Sequence, residues 1–278
     1  MALLAPRAGS ARVVGLTGSP GVGKSTSTSA LVGAYRRRGL RVGVLAVDPT
    51  SPFTGGALLG DRVRMHEHAG DPGVFIRSMA SRGHLGGLSW ATPQALRVLS
   101  AAGCDVVLVE TVGVGQAEVE VASLADTTLV LLAPGMGDGI QAAKAGILEV
   151  ADVLVVNKAD RDGADRVVRD LRHGLSLGHP RGGWEVPVLR TVASRGEGVD
   201  DVVDAVERHG AHLEATGELA ARRRHRASQE VEAIALDALR ARMGSLRGAP
   251  LDELAAQVVA GRLDPYAAAD ALVAGLTS

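Results

Sequence analysis

The chain has 278 residues and a formal net charge of −1 at pH 7, so no global field draws it to nucleic acid or to an anionic membrane. Aromatic residues make up 2% of it, which argues against base-stacking platforms and carbohydrate clefts, while 46% hydrophobic and 22% charged residues describe an ordinary globule. No apolar run approaches the roughly 20 residues of a membrane-spanning helix, the first eleven residues are too short for a signal peptide, and the single cysteine, Cys104, excludes an internal disulfide framework and fits a reducing, cytoplasmic setting.

Strands and helices alternate along most of the chain. Residues 12–17 (RVVGLT) predict a first strand, followed by a Gly-rich stretch and a helical pattern that ends at RRRG, where Gly39 suits a C-terminal cap. Residues 41–47 predict a second strand. A long Gly- and Pro-rich connection over 48–89 holds one brief strand candidate, VFI at 74–76. Connections are ordinarily a few residues long, so one of this size is functional or disordered. Then come a helix at 93–102, strands at 105–110 and 127–133, a helix at 141–150 and a strand at 152–157. A helix at 164–174, a strand at 186–190 and a helix near 199–209 complete the alternation. The runs VVLV, TLVLLA and VLVV read as strands buried on both faces. The fold class is therefore α/β, a mainly parallel sheet covered by helices on both faces. From about Leu213 the chain becomes rich in Ala, Arg and Glu and reads as helix, with Val231, Ile234, Ala235, Ala238 and Leu239 forming one apolar stripe. The expected organisation is a short tail at 1–11, an α/β domain at 12–212 and a helical extension at 213–278.

The strongest chemical signal is G-S-P-G-V-G-K-S-T, comprising Gly18, Gly21, Val22, Gly23, Lys24, Ser25 and Thr26 with Ser19 and Pro20 between. It fits the phosphate-binding pattern G-x-x-x-x-G-K-S/T, placed after a strand and opening a helix as the mechanism requires. Glycines let successive backbone N–H groups turn toward an anion, and the positive end of the helix dipole adds to the attraction. Lys24 suits the β- and γ-phosphates, and the Ser25 hydroxyl suits Mg²⁺. Ser19, where partitioning-type ATPases carry a second lysine, weighs against that class.

Asn157, Lys158, Ala159 and Asp160 form the N-K-x-D pattern at the end of the strand VLVV. A carboxylate there accepts from both N1–H and the N2 amino group of guanine, a pair of donors that adenine lacks. The segment 191–194, with Ala193 at its centre, lies where GTPases put a further base-contacting loop, though the match is loose. Between these motifs, 48–65 (DPTSPFTGGALLGDRVRM) and 110–118 (ETVGVGQAE) carry residue types that suit a metal–phosphate switch. Glu110, Asp48 and Asp61 are the acidic candidates for Mg²⁺, which takes oxygen ligands and keeps several waters. Asp48 also fits a strand-end turn, and Asp61 a solvated loop charge. Gly113 offers an N–H and a hinge near the γ-phosphate. Gln116 suits orientation of the attacking water, and a solvent-facing amide fits it equally.

These stretches together resemble the MeaB/ArgK family, the GTPases that accompany cobalamin-dependent acyl-CoA mutases. The resemblance rests on GSPGVGKST, AVDPTSPFTGGALLGDRVRM, GVFIRSMASRGHLGGLS, DVVLVETVGVGQAE, PGMGDGIQAAKAGILEVAD and NKAD, and runs from Arg12 to about Asp270. It implies a P-loop NTPase fold, GTP and GDP as nucleotides, Mg²⁺, and a homodimer supported by the C-terminal helices. It further implies that nucleotide state gates delivery of adenosylcobalamin to a mutase of the methylmalonyl-CoA type and release of damaged cofactor. Residues 134–144 (PGMGDGIQAAK), with Asp138 and Lys144, resemble a further mobile loop, and Asp138 also suits a helix cap. Family members usually carry a helical segment before the first strand, which here begins near Arg12.

Two other classes use the same loop. A metal-insertion GTPase of the nickel-enzyme type needs a Cys/His delivery site, which Cys104 with His66 and His68 does not supply. A small-molecule kinase is disfavoured by NKAD and the long switch stretches. Cys104 reads as a small apolar filler, Arg222–Arg226 as a solvated or dimer-rim face, and Arg62 and Arg64 as ordinary loop charges.

Overall fold

The computed structural model describes residues 4, 6, 9–48, 65–68, 70–80, 91–111, 117–135, 149–177, 182–244 and 249–275. Its centre is a seven-stranded sheet, all parallel, with β1 (Arg12–Thr17), β2 (Val42–Asp48), β3 (Val74–Ala80), β4 (Val106–Thr111), β5 (Thr127–Leu132), β6 (Val153–Asn157) and β7 (Val188–Thr191) in the order β3-β2-β4-β1-β5-β6-β7. The first strand thus sits in the middle, flanked by β4 and β5. The chain winds from it in both directions, and ligands bind at the carboxyl ends of strands at such a switch point.

Period-two side-chain alternation sends successive strand residues to opposite faces. Val14 and Leu16 of β1, Val44 of β2, Leu108 of β4 and Leu129 of β5 pack on one face against α1 (Lys24–Arg37) and α5 (Val199–Thr216). On the other face, three of the described helices pack. Leu45 and Val107 meet α2 (Thr92–Ala101), Val109 meets α3 (Ala117–Leu124), and Leu154 and Val156 meet α4 (Ala164–Ser176). This is the P-loop NTPase arrangement that the sequence led one to expect. Helix α1 ends as RRRG suggested: Gly39 has φ +79°, its N–H donates to the Arg36 carbonyl, and Leu40 N–H reaches the Tyr35 carbonyl. That pair of bonds is a Schellman closure, which needs a left-handed residue at that position.

Two elements differ from the sequence expectation. VFI is the start of a longer strand, because all seven residues of β3 pair with β2, from Val42↔Val74 to Asp48↔Ala80. The polar half, RSMA, has no strand signature of its own and is extended by this pairing. Helix α3 shares only Ala117 and Glu118 with the expected switch stretch 110–118, and the sequence pattern predicts no element over 119–124. It forms where Gly15 leaves room for it: a Cβ at Gly15 would lie 2.4 Å from Val121 and 3.0 Å from Ala125. The predicted helix at 141–150 falls almost wholly outside the described residues.

The amino ends of the strands are tied by two buried acids and two arginines. Asp126 precedes β5 and accepts from Val13 N–H at 3.0 Å, and Arg223 Nη2 donates to its Oδ2 at 2.9 Å. Asp152 precedes β6 and accepts from Thr128 N–H at 2.8 Å, and Arg222 donates to both its oxygens at 3.2 Å. Both arginines belong to α6 (Glu218–Gly244), so the first two of the RRRHR cluster are structural anchors, not a solvated face. A compact unit accordingly extends through Arg223, and a second comprises residues 224–278. In the second, α7 (Ala249–Val259) closes at Gly261, φ +67°, and α8 (Pro265–Ala274) is capped by Asp264, whose Oδ1 accepts from Tyr266 and Ala267 N–H. No described helix is long and apolar enough to cross a membrane.

His209 of α5 is fully buried beside this network. Thr127 Oγ1 is 2.8 Å from its Nδ1, Asp152 Oδ1 is 3.4 Å from Nε2, and Trp184 lies against the ring at 4.8 Å. Burial pushes its pKa below the usual histidine value; the Asp152 carboxylate opposes that shift, and Arg222 and His212 add to it. In the unfolded chain the group protonates near pH 6.5, as an ordinary histidine does. Below that pH the unfolded state therefore binds more protons than the folded one, and stability falls as pH drops. The urea midpoint of the parent should decline between about pH 7.5 and 5.5, and His209→Gln should remove part of that decline. Equal pH slopes in the two proteins would show that His209 does not titrate on unfolding.

Candidate functional site

The site is built at the carboxyl ends of β1, β4, β6 and β7. Gly18 leaves β1 with φ +140°, and a Cβ there would lie 2.3 Å from the Leu131 carbonyl oxygen of β5. Gly23, φ +94°, opens α1, and a Cβ there would lie 2.6 Å from Asn157 Nδ2. Both positions therefore require glycine twice over, for conformation and for space. Gly21 is exposed at the tip, whereas Val22 is buried in the core and holds the loop down. The first turn of α1 carries no acidic side chain that would repel an anion at the positive end of the helix dipole. Lys24 is buried, with its ammonium folded over the loop and donating to the Gly18 carbonyl at 2.5 Å and the Ser19 carbonyl at 3.3 Å. Thr26 is exposed in that first turn.

Glu110 ends the buried run VVLVE and has no exposed surface. Parallel register sets it beside Leu16 of β1, two residues before the loop begins at Gly18. Ser25 Oγ donates to its Oε1 at 2.6 Å and Thr28 Oγ1 to its Oε2 at 2.8 Å. Thr28 was not singled out from the sequence. Its spacing of three from Ser25 is the available signal, since residues so spaced share one face of a helix. The carboxylate and the serine hydroxyl are hard oxygen donors in contact with each other, a set that suits Mg²⁺ and not a softer ion. Asp48 is the last residue of β2, with its side chain outside what the structure describes. Asp61, Gly113 and Gln116 lie outside the described residues, as do Asp138, Lys144, Arg62 and Arg64.

On the other flank, Asn157 joins three segments. Its Nδ2 donates to the Val22 carbonyl at 2.8 Å, and its Oδ1 accepts from Thr191 Oγ1 and from Ala193 N–H, both at 3.1 Å. The Ala193 amide is thus engaged by Asn157. Lys158 is the single described non-glycine residue with positive φ, +56°, and its Nζ donates to the Gly21 carbonyl at 2.6 Å. Asp160 lies beyond it, half-exposed, with Oδ2 3.0 Å from Arg195 Nη2. Arg195 carried no signal in the sequence, because its partner lies on a separate loop. His68 is drawn into a polar contact with Ser29 at 3.0 Å, and no group of three or more His, Cys, Asp and Glu suited to a metal occurs among the described residues. Cys104 is buried among Leu45, Leu99 and Val107, as an apolar filler would be.

The profile of one family, described as methylmalonyl-CoA mutase-associated GTPase MeaB, matches residues 1–247. A putative GTPase of Pyrococcus horikoshii is 50% identical over 268 residues, which is 95% of this chain and 84% of that protein. The mitochondrial methylmalonic aciduria type A homolog of Mus musculus is 37% identical over 95% of this chain and 65% of its own length. Among solved structures, one described as a LAO/AO transport system kinase superposes with a TM-score of 0.69 at 26% identity, over 100% of this chain and 85% of that one.

The Asn157 bonds give a measurable expectation. Asn157→Ala strips a buried acceptor from the Ala193 amide and a donor from the Val22 carbonyl, and each buried unmet group costs about 1–3 kcal/mol. The urea-unfolding free energy should fall by about 2–5 kcal/mol. A loss under about 1 kcal/mol would mean that the three segments hold together without it.

Proposed function

This chain belongs to the MeaB family of methylmalonyl-CoA mutase-associated GTPases, and we propose on that premise that it is a nucleotide-switched chaperone of a cobalamin-dependent acyl-CoA mutase. In this reading, hydrolysis of GTP to GDP and phosphate times the loading of adenosylcobalamin into a mutase of the methylmalonyl-CoA type and the release of damaged cofactor. The family's description supports the partner. The clock is supported above all by one observation: Asn157 and Lys158 of the base-reading motif bond directly to the phosphate loop, at Val22 and Gly21. Base recognition and phosphate binding are then one rigid unit.

The roles follow from chemistry. Backbone N–H groups of the loop and of the α1 terminus hold the phosphates, and Lys24 turns from the Gly18 and Ser19 carbonyls to the β- and γ-oxygens. Ser25 and Glu110, with Asp48 and Asp61 as further acidic candidates, hold Mg²⁺. The ion supplies charge neutralisation at the transferred phosphoryl group. Water attacks the γ-phosphorus while the bond to the β,γ-bridging oxygen breaks, and Gln116 is the candidate to orient that water. Gly113 lends its N–H near the γ-phosphate. Asp160 reads N1–H and the N2 amino group of guanine, and Ala193 walls the base pocket.

A homodimer through the C-terminal helices and a cytoplasmic setting belong to the same proposal. The stripe on α6 supports the first, since Val231 is 67% exposed and Ile234 and Leu239 are also exposed. Scattered apolar residues on a surface are ordinary, but a stripe at helical spacing suits a helix partner.

Two measurements test this reading. Asp160→Asn replaces an acceptor by an NH₂ donor that would face the guanine amino group, so GTP affinity should drop by at least about 100-fold. Xanthine has a carbonyl there, so the variant should prefer XTP over GTP, while the parent prefers GTP over both XTP and ATP. Unchanged GTP affinity in the variant would remove Asp160 from base reading. For the partner, phosphate release should be slow in the free protein and rise on addition of a cobalamin-dependent acyl-CoA mutase from the same organism. If no such mutase binds or accelerates release, the chaperone role falls and the GTPase remains.

A further inference from the structure

The ion pair on Asp160 is unexplained by the roles above. Arg195 Nη2 lies 3.0 Å from Asp160 Oδ2, and Arg195 Nε lies 3.3 Å from Glu197 Oε1, so one guanidinium bridges two carboxylates. All three side chains are about half-exposed. Exposed pairs of this kind add little to stability, so the consequence of the bridge lies in geometry.

That geometry is set by the backbone. The 3₁₀ turn Ala193–Arg195 ends at Gly196, φ +74°, and Val192 and Glu197 close it as an antiparallel bridge, with Val192 N–H donating to the Glu197 carbonyl at 3.0 Å. Gly198, φ +72°, follows, where a Cβ would lie 2.1 Å from the Arg190 carbonyl oxygen. This loop is fixed to the base-reading motif at two points. Ala193 N–H donates to Asn157 Oδ1, and Ala159 N–H donates to the Thr191 carbonyl at 3.0 Å. Arg195 and Asp160 are thus the facing side chains of two loops already stitched together.

We propose that Arg195 is a positioning residue for guanine selectivity: held by Glu197, it fixes the Asp160 carboxylate in the orientation that reads the base. The inference rests on Asp160 being the base reader. An ionised carboxylate offers about four acceptor sites, and Arg195 uses one on Oδ2. Capacity therefore remains for N1–H and the N2 amino group while the bridge stays in place. A lysine at this position has no second nitrogen to span to Glu197 and restores only the charge. Without the bridge, the half-exposed aspartate samples other rotamers, and discrimination that depends on two simultaneous bonds is lost first.

The test is equilibrium binding of GDP and of IDP, whose base lacks the 2-amino group, to the parent, Arg195→Ala, Arg195→Lys, Asp160→Ala and the double alanine variant. Thermal unfolding is followed alongside. Arg195→Ala should weaken GDP binding about tenfold, equivalent to one intact hydrogen bond to a charged group. It should also narrow the GDP-to-IDP ratio and leave the melting temperature almost unchanged. Arg195→Lys should recover part of the affinity but not the full ratio. In the Asp160→Ala background, the arginine substitution should add nothing. Three results overturn the proposal with base reading intact: an unchanged GDP-to-IDP ratio in Arg195→Ala, tighter GDP binding in that variant, or additive losses in the double variant. If Asp160→Ala itself keeps the parent's GDP affinity, base reading by Asp160 fails, and the positioning role with it.

Discussion

A carboxylate with no access to water must be met by donors, or the fold bears a desolvation cost of several kcal/mol. Glu110 is such a group, and Ser25 and Thr28 meet it. Much of the nucleotide end follows from this. The two hydroxyls share one face of α1, so satisfying Glu110 fixes the rotation of that helix about its axis. The phosphate loop, which runs directly into α1, is then placed over the end of β1. The arrangement is possible because β4 lies beside β1 in the sheet, with Glu110 in register with Leu16. Had β2 taken that place, the chain order would look simpler and the acid would be out of reach.

Asn157 does on the right of the loop what Glu110 does on the left. Its amide is the only side-chain type that can donate to Val22 and accept from Thr191 and Ala193 through one planar group. The loop is therefore gripped from β4 on one flank and β6 on the other. Between the grips, Gly18 and Gly23 combine positive φ with spaces that a Cβ would overfill. Donors fixed in this way need no reorganisation when charge develops on a phosphoryl group, which is the usual source of catalytic advantage. Lys158 adopts a left-handed conformation, uncommon for a residue with a Cβ, and its bond to the Gly21 carbonyl accompanies it.

The opposite end of the sheet is built on the same rule for another purpose. Asp126 and Asp152 each precede a strand and accept from the backbone of a neighbouring strand. Each also takes an arginine from the start of α6. Breaking such a pair on one side is costly because it leaves a charge buried. Acids and arginines thus lock the amino ends of the strands, while Glu110 and Asn157 lock the carboxyl ends around the phosphate loop. The Trp184–His209 contact lies at the amino ends, beside Asp152.

The sequence by itself determined the strand–helix alternation, the buried parallel sheet, the phosphate loop, Glu110 at a strand end and NKAD at another. These were legible because each depends on local rules: period-two apolar runs, glycines at fixed offsets, and an acid at the close of a buried run. Helix α3 and the second half of β3 were not legible. AEVEVASL and RSMA have no decisive pattern, and their state was chosen by Gly15 beneath one and β2 beside the other. The partners of Glu110, the triple bond of Asn157, the anchoring of Arg222 and Arg223, and the bridge from Asp160 through Arg195 to Glu197 were decided by tertiary structure alone. Apart from the Arg195–Glu197 contact, each joins residues from about 30 to more than 130 positions apart, and sequence spacing carries no information about which loops a parallel sheet brings side by side. Composition supplied the charges; the strand order decided which of them meet.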